Sequence, residues 1–198
     1  MARASRMFAS AGEYVEHMQG VLRALDCAAI DRVAALVFAA WRDDRQVFVL
    51  GNGGSAATAS HYVTDFVKTA SVEGERRLRA HSLVDNFPLS TAIGNDLDFE
   101  QIFEYPLAAW SRRGDVLIAI SGSGTSPNVV RACRFAKQHG LVLVALTGFE
   151  GGTIAAMADV HVNVPSDNYG PIEDLHMSIG HIVTQSLQAR VRAQAAKR

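Results

Sequence analysis

Cysteine is nearly absent from this chain: there are two, Cys27 and Cys133, in 198 residues. Two cysteines build no disulfide framework. Each lies in an apolar helical context, so both read as reduced core thiols of a cytoplasmic protein. Net charge is also missing. Nineteen basic residues meet twenty acidic ones, which removes the electrostatic case for bulk nucleic-acid binding. The short basic cluster Arg76, Arg77 and Arg79 and the basic C-terminus read as solvated surface. No apolar run is long enough to span a membrane, and Met1 to Glu16 lacks the apolar stretch of a signal peptide. Internal repeats, low-complexity tracts and interdomain linkers are absent too. The length therefore points to one domain with a substantial core.

What is present is an alternation. The pattern from about Phe8 to Trp41 is helical, with a break near Asp26 to Asp31. Apolar strands follow at Gln46 to Leu50, Ala80 to Leu83, Asp115 to Ile120, Val142 to Leu146 and Val160 to Val164. Helical patterns separate them at 55–68, Pro88 to Ile93, Phe99 to Ser111, Asn128 to His139 and Ile154 to Met157. A last helix runs from about Ile172 to Ala195. Continuous apolar strands between helices predict an α/β fold with a parallel sheet covered on both faces. Ligands bind such sheets outside the carboxyl ends of the strands.

Two strands lead into Gly/Ser loops. The first reads Gly51-Asn52-Gly53-Gly54-Ser55-Ala56-Ala57 and opens a helix. Its glycines let the backbone turn sharply, and a helix N-terminus attracts phosphate. His61 and Asp65 follow on that helix, and their i,i+4 spacing puts both on one face. The second loop reads Ser121-Gly122-Ser123-Gly124-Thr125-Ser126-Pro127. Its hydroxyls suit phosphate oxygens, and Pro127 suits a first helical turn. The alternative is a plain capping turn with Ser126 as cap. Neither loop is a Walker sequence or the dinucleotide Gly-x-Gly-x-x-Gly, so no nucleotide cofactor is indicated.

Glu173, Asp174, His176 and His181 open the last helix. Acids there also complement the helix dipole. Glu173 and His181 differ by about 12 Å of rise on a continuous helix, which argues against joint chelation of one ion unless Glu173 lies in a frayed turn. Asn95-Asp96 suits either a turn or sugar-hydroxyl binding.

These residues, in this order, resemble the sugar isomerase (SIS) domain family, and within it the phosphoheptose isomerase branch. The resemblance is carried by 51–57, His61, Asp85-Asn86, Thr91 to Asp96, 121–126, Thr147-Gly148, Gly151-Gly152, His176 and His181. It implies a doubly wound parallel sheet of about five strands flanked by helices, a flavodoxin-like three-layer sandwich. It implies one domain over 1–198 and a homotetramer with active sites at subunit interfaces. Residues 1–43 would contribute to oligomer packing and 44–198 would form the sugar-phosphate-binding core. Ser55, Ser121, Ser123 and Ser126 would hold the phosphate, with Asn52, Gly53 and Thr125 nearby. Asn95 and Asp96 fall in the matching stretch.

The resemblance also implies zinc, held by His61, Asp65, Glu173 and His181, with Asp65 as general base and His181 as general acid. Two of these four depart from the family's residues: Asp replaces Glu at 65, and Glu replaces Gln at 173. The shorter Asp65 shifts a proton-transfer distance by about 1 Å. Glu173 adds charge for a cation and a second carboxylate base. The implied reaction converts sedoheptulose 7-phosphate to D-glycero-D-manno-heptose 7-phosphate through a cis-enediol, with no nucleic-acid or membrane partner. Two alternatives stay open: an isomerase of another sugar phosphate, and a non-catalytic phosphosugar-binding regulator or scaffold.

Overall fold

A computed structural model describes residues 6–197; residues 1–5 and 198, at the ends of the expected 1–198 domain, lie outside the described residues. Five parallel strands form one sheet in the order β2-β1-β3-β4-β5. They are β1 (Gln46–Gly51), β2 (Arg79–Ser82), β3 (Val116–Ser121), β4 (Val142–Thr147) and β5 (Val160–Asn163). Strand alternation sends side chains to opposite faces, and two apolar cores result. Val47, Val49, Ile118, Ile120, Val144 and Leu146 pack with α2 (Cys27–Arg42), α3 (Gly54–Thr64) and α8 (Tyr169–Ala195). Phe48, Leu50, Leu117, Ala119, Leu143 and Ala145 pack with α4 (Phe87–Asp96), α5 (Glu104–Trp110), α6 (Pro127–Gln138) and α7 (Gly152–Ala155). The expected three-layer, doubly wound sandwich is present. α1 (Ala11–Arg23) lies at the margin and buries only Val21.

The chain order reverses between β1 and β3, so the crevice where such folds bind ligands opens there. Both Gly/Ser loops leave strands at that point.

Four boundaries differ from the sequence reading, each for a local reason. The N-terminal break comes at 24–26, because Asp26 caps α2 by accepting from Ala29 N at 2.9 Å. The pattern at 99–111 splits into a 3-10 turn (Phe99–Gln101) and α5. Pro106 fits only the first turn of a helix, which starts α5 at Glu104. α8 begins three residues early, capped by Asn168, which accepts from Gly170 N at 2.8 Å. The helix expected over 55–68 leaves α geometry at Thr64 and continues as a π-helical turn, Asp65–Thr69. Cys27 is exposed at the start of α2, not in the core, whereas Cys133 is buried.

Candidate active site

β1 runs into α3 through Asn52 and Gly53. Gly53 adopts φ 54° and ψ −121°, which a residue with a Cβ rarely enters. Gly51 passes so close to α3 that a Cβ there would lie 2.7 Å from the Ser55 carbonyl oxygen. Across the crevice, Asn52 and Asn128 form a reciprocal pair, each side-chain amide donating to the other's carbonyl at 2.9 Å. This pair ties the two loops together. Asn128 is buried in the first turn of α6.

Between the loops lies a cavity of about 120 Å3 whose lining includes Asn52, Ser55, Ser121, Ser123, Ser126 and Glu173. The Ser121 hydroxyl accepts from Gly124 N at 3.1 Å, and that of Ser123 from Thr125 N at 3.3 Å. Each hydroxyl hydrogen is left to donate elsewhere. Ser126 occupies the cap position of α6 but makes no capping hydrogen bond, so the plain capping-turn reading does not account for it. Among the described residues, no Lys or Arg lines this cavity. Any pull on an anion there comes from hydroxyls, backbone N–H groups and the N-termini of α3 and α6.

Glu173 reaches this cavity from α8. Its carboxylate covers the first residue of α3: a Cβ on Gly54 would lie 2.7 Å from Oε1. A carboxylate is favoured at a helix N-terminus.

A second cluster lies farther along the same helices. His61 Nε2 is 3.0 Å from His181 Nε2. Asp65 Oδ2 is 3.4 Å from His61 Nε2 and 3.8 Å from His181 Nε2. The ligand atoms of these three residues lie within 4.8 Å of one another. Two imidazole nitrogens face each other beside a carboxylate, and all three groups are ordinary zinc ligands. The donor set therefore fits a divalent cation. Glu173 does not belong to this cluster. Eight residues separate it from His181 on one unbroken helix, a rise of about 12 Å.

The helices carrying the cluster meet at Gly180, whose Cα lies against the ring of Tyr62. The Tyr62 hydroxyl donates to the His176 carbonyl, and burial holds its pKa far above the ordinary tyrosine value. His176 itself is fully buried, with Nε2 at 3.0 Å from the Thr147 carbonyl oxygen and Nδ1 unpartnered. A carbonyl only accepts, so Nε2 carries the hydrogen. Burial pushes the His176 pKa down to about 4 against the opposing Thr147 contact.

Other expected residues fall elsewhere. Thr125 is exposed and lines a separate cleft with Glu104, Arg131 and Arg134. Asn95 and Asp96 are exposed at the end of α4, where the Asn95 amide donates to Asp96 Oδ1 at 2.7 Å. Neither lines the serine cavity. Asn128 escaped the sequence reading. Its signal was a poor helix former directly after Pro127, placed beyond β3 much as Asn52 is placed beyond β1.

The family model for the SIS domain matches residues 13–148. Phosphoheptose isomerase of Geotalea daltonii is 40% identical over 162 residues, covering 82% of this chain and 84% of that protein. The structure of phosphoheptose isomerase from Neisseria gonorrhoeae superposes with a TM-score of 0.82 at 32% identity, over 90% of this chain and 94% of that one. The enzyme from Francisella tularensis gives 0.81 at 30% identity, over 88% and 92%.

Proposed function

The chain belongs to the SIS domain family, as an aldose–ketose isomerase of the phosphoheptose isomerase type, and we propose that it interconverts sedoheptulose 7-phosphate and D-glycero-D-manno-heptose 7-phosphate at the crevice between α3 and α8. The observation that carries this reading is the pairing of two unlike sites on the same two helices. α3 carries Ser55 at the cavity and His61 at the cluster, six residues or about 9 Å of rise apart. α8 carries Glu173 and His181, about 12 Å apart. A seven-carbon sugar with phosphate on C7 and chemistry at C1 and C2 needs an anion site and an acid/base site separated on that scale.

Ser55, Ser121, Ser123 and Ser126 hold the phosphate, and the Asn52–Asn128 pair keeps their loops in register. Asp65 takes a proton from C1 of the open-chain ketose and returns it to C2, passing through the cis-enediol. His181 exchanges protons with the ring oxygen during opening and with the sugar oxygens as the carbonyl moves from C2 to C1. His61, Asp65 and His181 are the residues that would hold zinc, which supplies polarisation of the carbonyl and stabilisation of the enediolate when bound. Glu173 belongs with the phosphate group rather than with the metal; Thr125, Asn95 and Asp96 have no role in this chain's own cavity.

The active unit is a homotetramer, supported by exposed Val15 and Leu22 on α1 and Ile182 on α8. Two thiols without a disulfide suit the cytoplasm. The deciding experiment is proton NMR of sedoheptulose 7-phosphate with the purified protein, with and without zinc, beside the Asp65→Asn variant. New aldoheptose anomeric signals that require Asp65 support the reading. Binding without conversion overturns it in favour of a sensor or scaffold.

A further inference from the structure

Two threonine hydroxyls on α3 bond back to the preceding turn in the same way. Ser60 lies within reach of both the Ala56 carbonyl, at 3.3 Å, and the Asp85 carboxylate, while Thr58 and Thr64 each donate to the backbone carbonyl four residues earlier, at 3.3 and 3.1 Å. Thr69 does not. Its hydroxyl donates instead to the side chain four residues earlier, reaching Asp65 Oδ1 at 2.8 Å. The cause lies in the backbone. Asp65–Thr69 is a π-helical turn, and the Asp65 carbonyl accepts from Ala70 N, five residues on, at 2.8 Å. Such turns occur often at functional sites.

A second bond fixes Thr69 from the opposite side. The Gln188 side-chain amide donates to the Thr69 carbonyl at 2.7 Å. Gln188 lies on α8, seven residues or two turns beyond His181. Besides the Tyr62 hydroxyl bond to the His176 carbonyl, α8 is thus bridged at His61–His181 and, through the π-helical turn, at Thr69–Gln188, with Asp65 between these two in sequence.

We infer that Thr69 is a positioning residue for Asp65, held in place by Gln188 through the π-helical turn. The inference rests on Asp65 being the base. An aspartate carboxylate swings about its own χ angles, and both oxygens are equivalent when free. With Oδ1 engaged by Thr69, Oδ2 is the oxygen presented to the two histidines, at 3.4 and 3.8 Å. A short side chain has little spare reach, so its rotamer must be fixed from behind. Misplacement by about 1 Å is enough to cost roughly a hundredfold in rate. An aspartate at 65 therefore works here in combination with a hydroxyl at 69.

The test compares Thr69→Val, which removes the hydroxyl and keeps the shape, with Thr69→Ser, which keeps the hydroxyl. Gln188→Leu perturbs the same bridge from α8. The readouts are kcat and KM for sedoheptulose 7-phosphate, and zinc affinity by competition with a chromophoric chelator. Thr69→Val is expected to lower kcat by about 10–100-fold with KM nearly unchanged, and to weaken zinc binding on the same scale. Thr69→Ser stays close to wild type, and Gln188→Leu shifts kcat and zinc affinity in the direction of Thr69→Val. Wild-type kcat and zinc affinity in Thr69→Val overturn the inference. Equal damage in Thr69→Ser also overturns it, because the methyl group rather than the hydroxyl would then matter. Asp65→Asn separates the layers: if it is inactive while Thr69→Val is intact, only the role of Thr69 falls. Full turnover in Asp65→Asn removes the base itself, and this inference with it.

Discussion

Gly180 on α8 lies directly against the ring of Tyr62 on α3, and their sequence neighbours His181 and His61 are the two histidines that face each other at 3.0 Å. A Cβ at 180 would overlap ring carbons Cε1, Cδ1 and Cζ. The ring has nowhere to go. It is buried, it packs edge-on to Phe66 at 5.7 Å, and its hydroxyl is tied to His176.

Gly180→Ala sets two effects against each other. Alanine gains about 1 kcal/mol of helix propensity. Overpacking in a fixed core costs about 1–3 kcal/mol. The second wins because α3 and α8 must separate, which also parts His61 from His181. The expected outcome is a Tm several degrees lower together with weaker zinc binding. A variant as stable as wild type with unchanged zinc affinity contradicts this account of the helix spacing.

Glu173→Gln separates stability from ligand affinity. The carboxylate favours the N-terminus of α3 by about 0.3–1 kcal/mol, so the variant is expected to lose stability on that scale. The same negative charge opposes phosphate in a cavity that no Lys or Arg lines among the described residues, so inorganic phosphate is expected to bind about tenfold more tightly. Calorimetric titration with phosphate, paired with urea unfolding, reads both. Weaker phosphate binding would show that the carboxylate supports the anion through a proton or cation.

The pH dependence of stability follows from His176. Its folded pKa, about 4, lies below the ordinary 6.5. The unfolded chain therefore binds the proton first, and the contribution is intact above pH 6.5. It is lost as pH falls towards 4, at about 1.4 kcal/mol per unit within that window. Urea unfolding at pH 7, 6 and 5 measures the slope. In His176→Gln, which can still donate to the Thr147 carbonyl, the slope should flatten. An unchanged slope assigns the acid sensitivity to other groups.

Asn128→Ala leaves the Asn52 amide facing an apolar methyl. Losing a buried partner costs about 1–3 kcal/mol, and the two serine loops lose their cross-tie. Reduced stability should accompany weaker phosphate binding. Loss of stability alone would make the pair purely structural.

Much of this was legible because it is local or periodic. Alternating apolar strands, Pro127 at a helix start, and His61 with Asp65 one turn apart depend on neighbours in sequence. So do the two Gly/Ser loops, whose convergence follows from strand order. The separation of Glu173 from His181 was also readable, since helix rise alone sets it. Long-range pairing left less trace. Nothing near Asn52 names Asn128 as its partner, and nothing near Tyr62 requires glycine at 180. The π-helical turn was hidden because an i→i+5 carbonyl bond has no compositional signature. Pro106 stood in plain view, yet its effect depends on which turn of a helix it occupies.

The Asn52–Asn128 pair also bears on how the protein ages. An asparagine followed by glycine is the sequence most open to deamidation, because the unhindered glycine nitrogen can attack the side-chain carbonyl carbon. Asn52 precedes Gly53. That attack needs a side chain free to turn, and two hydrogen bonds at 2.9 Å hold this one still. Folding thus shields a bond that the unfolded chain exposes. If the pair opens, an aspartate forms beside the serines, and Asn128 Oδ1 keeps only the Val129 N–H as donor of the two it has now. Chemical damage here would accumulate with time spent open, a record of local breathing at the mouth of the site.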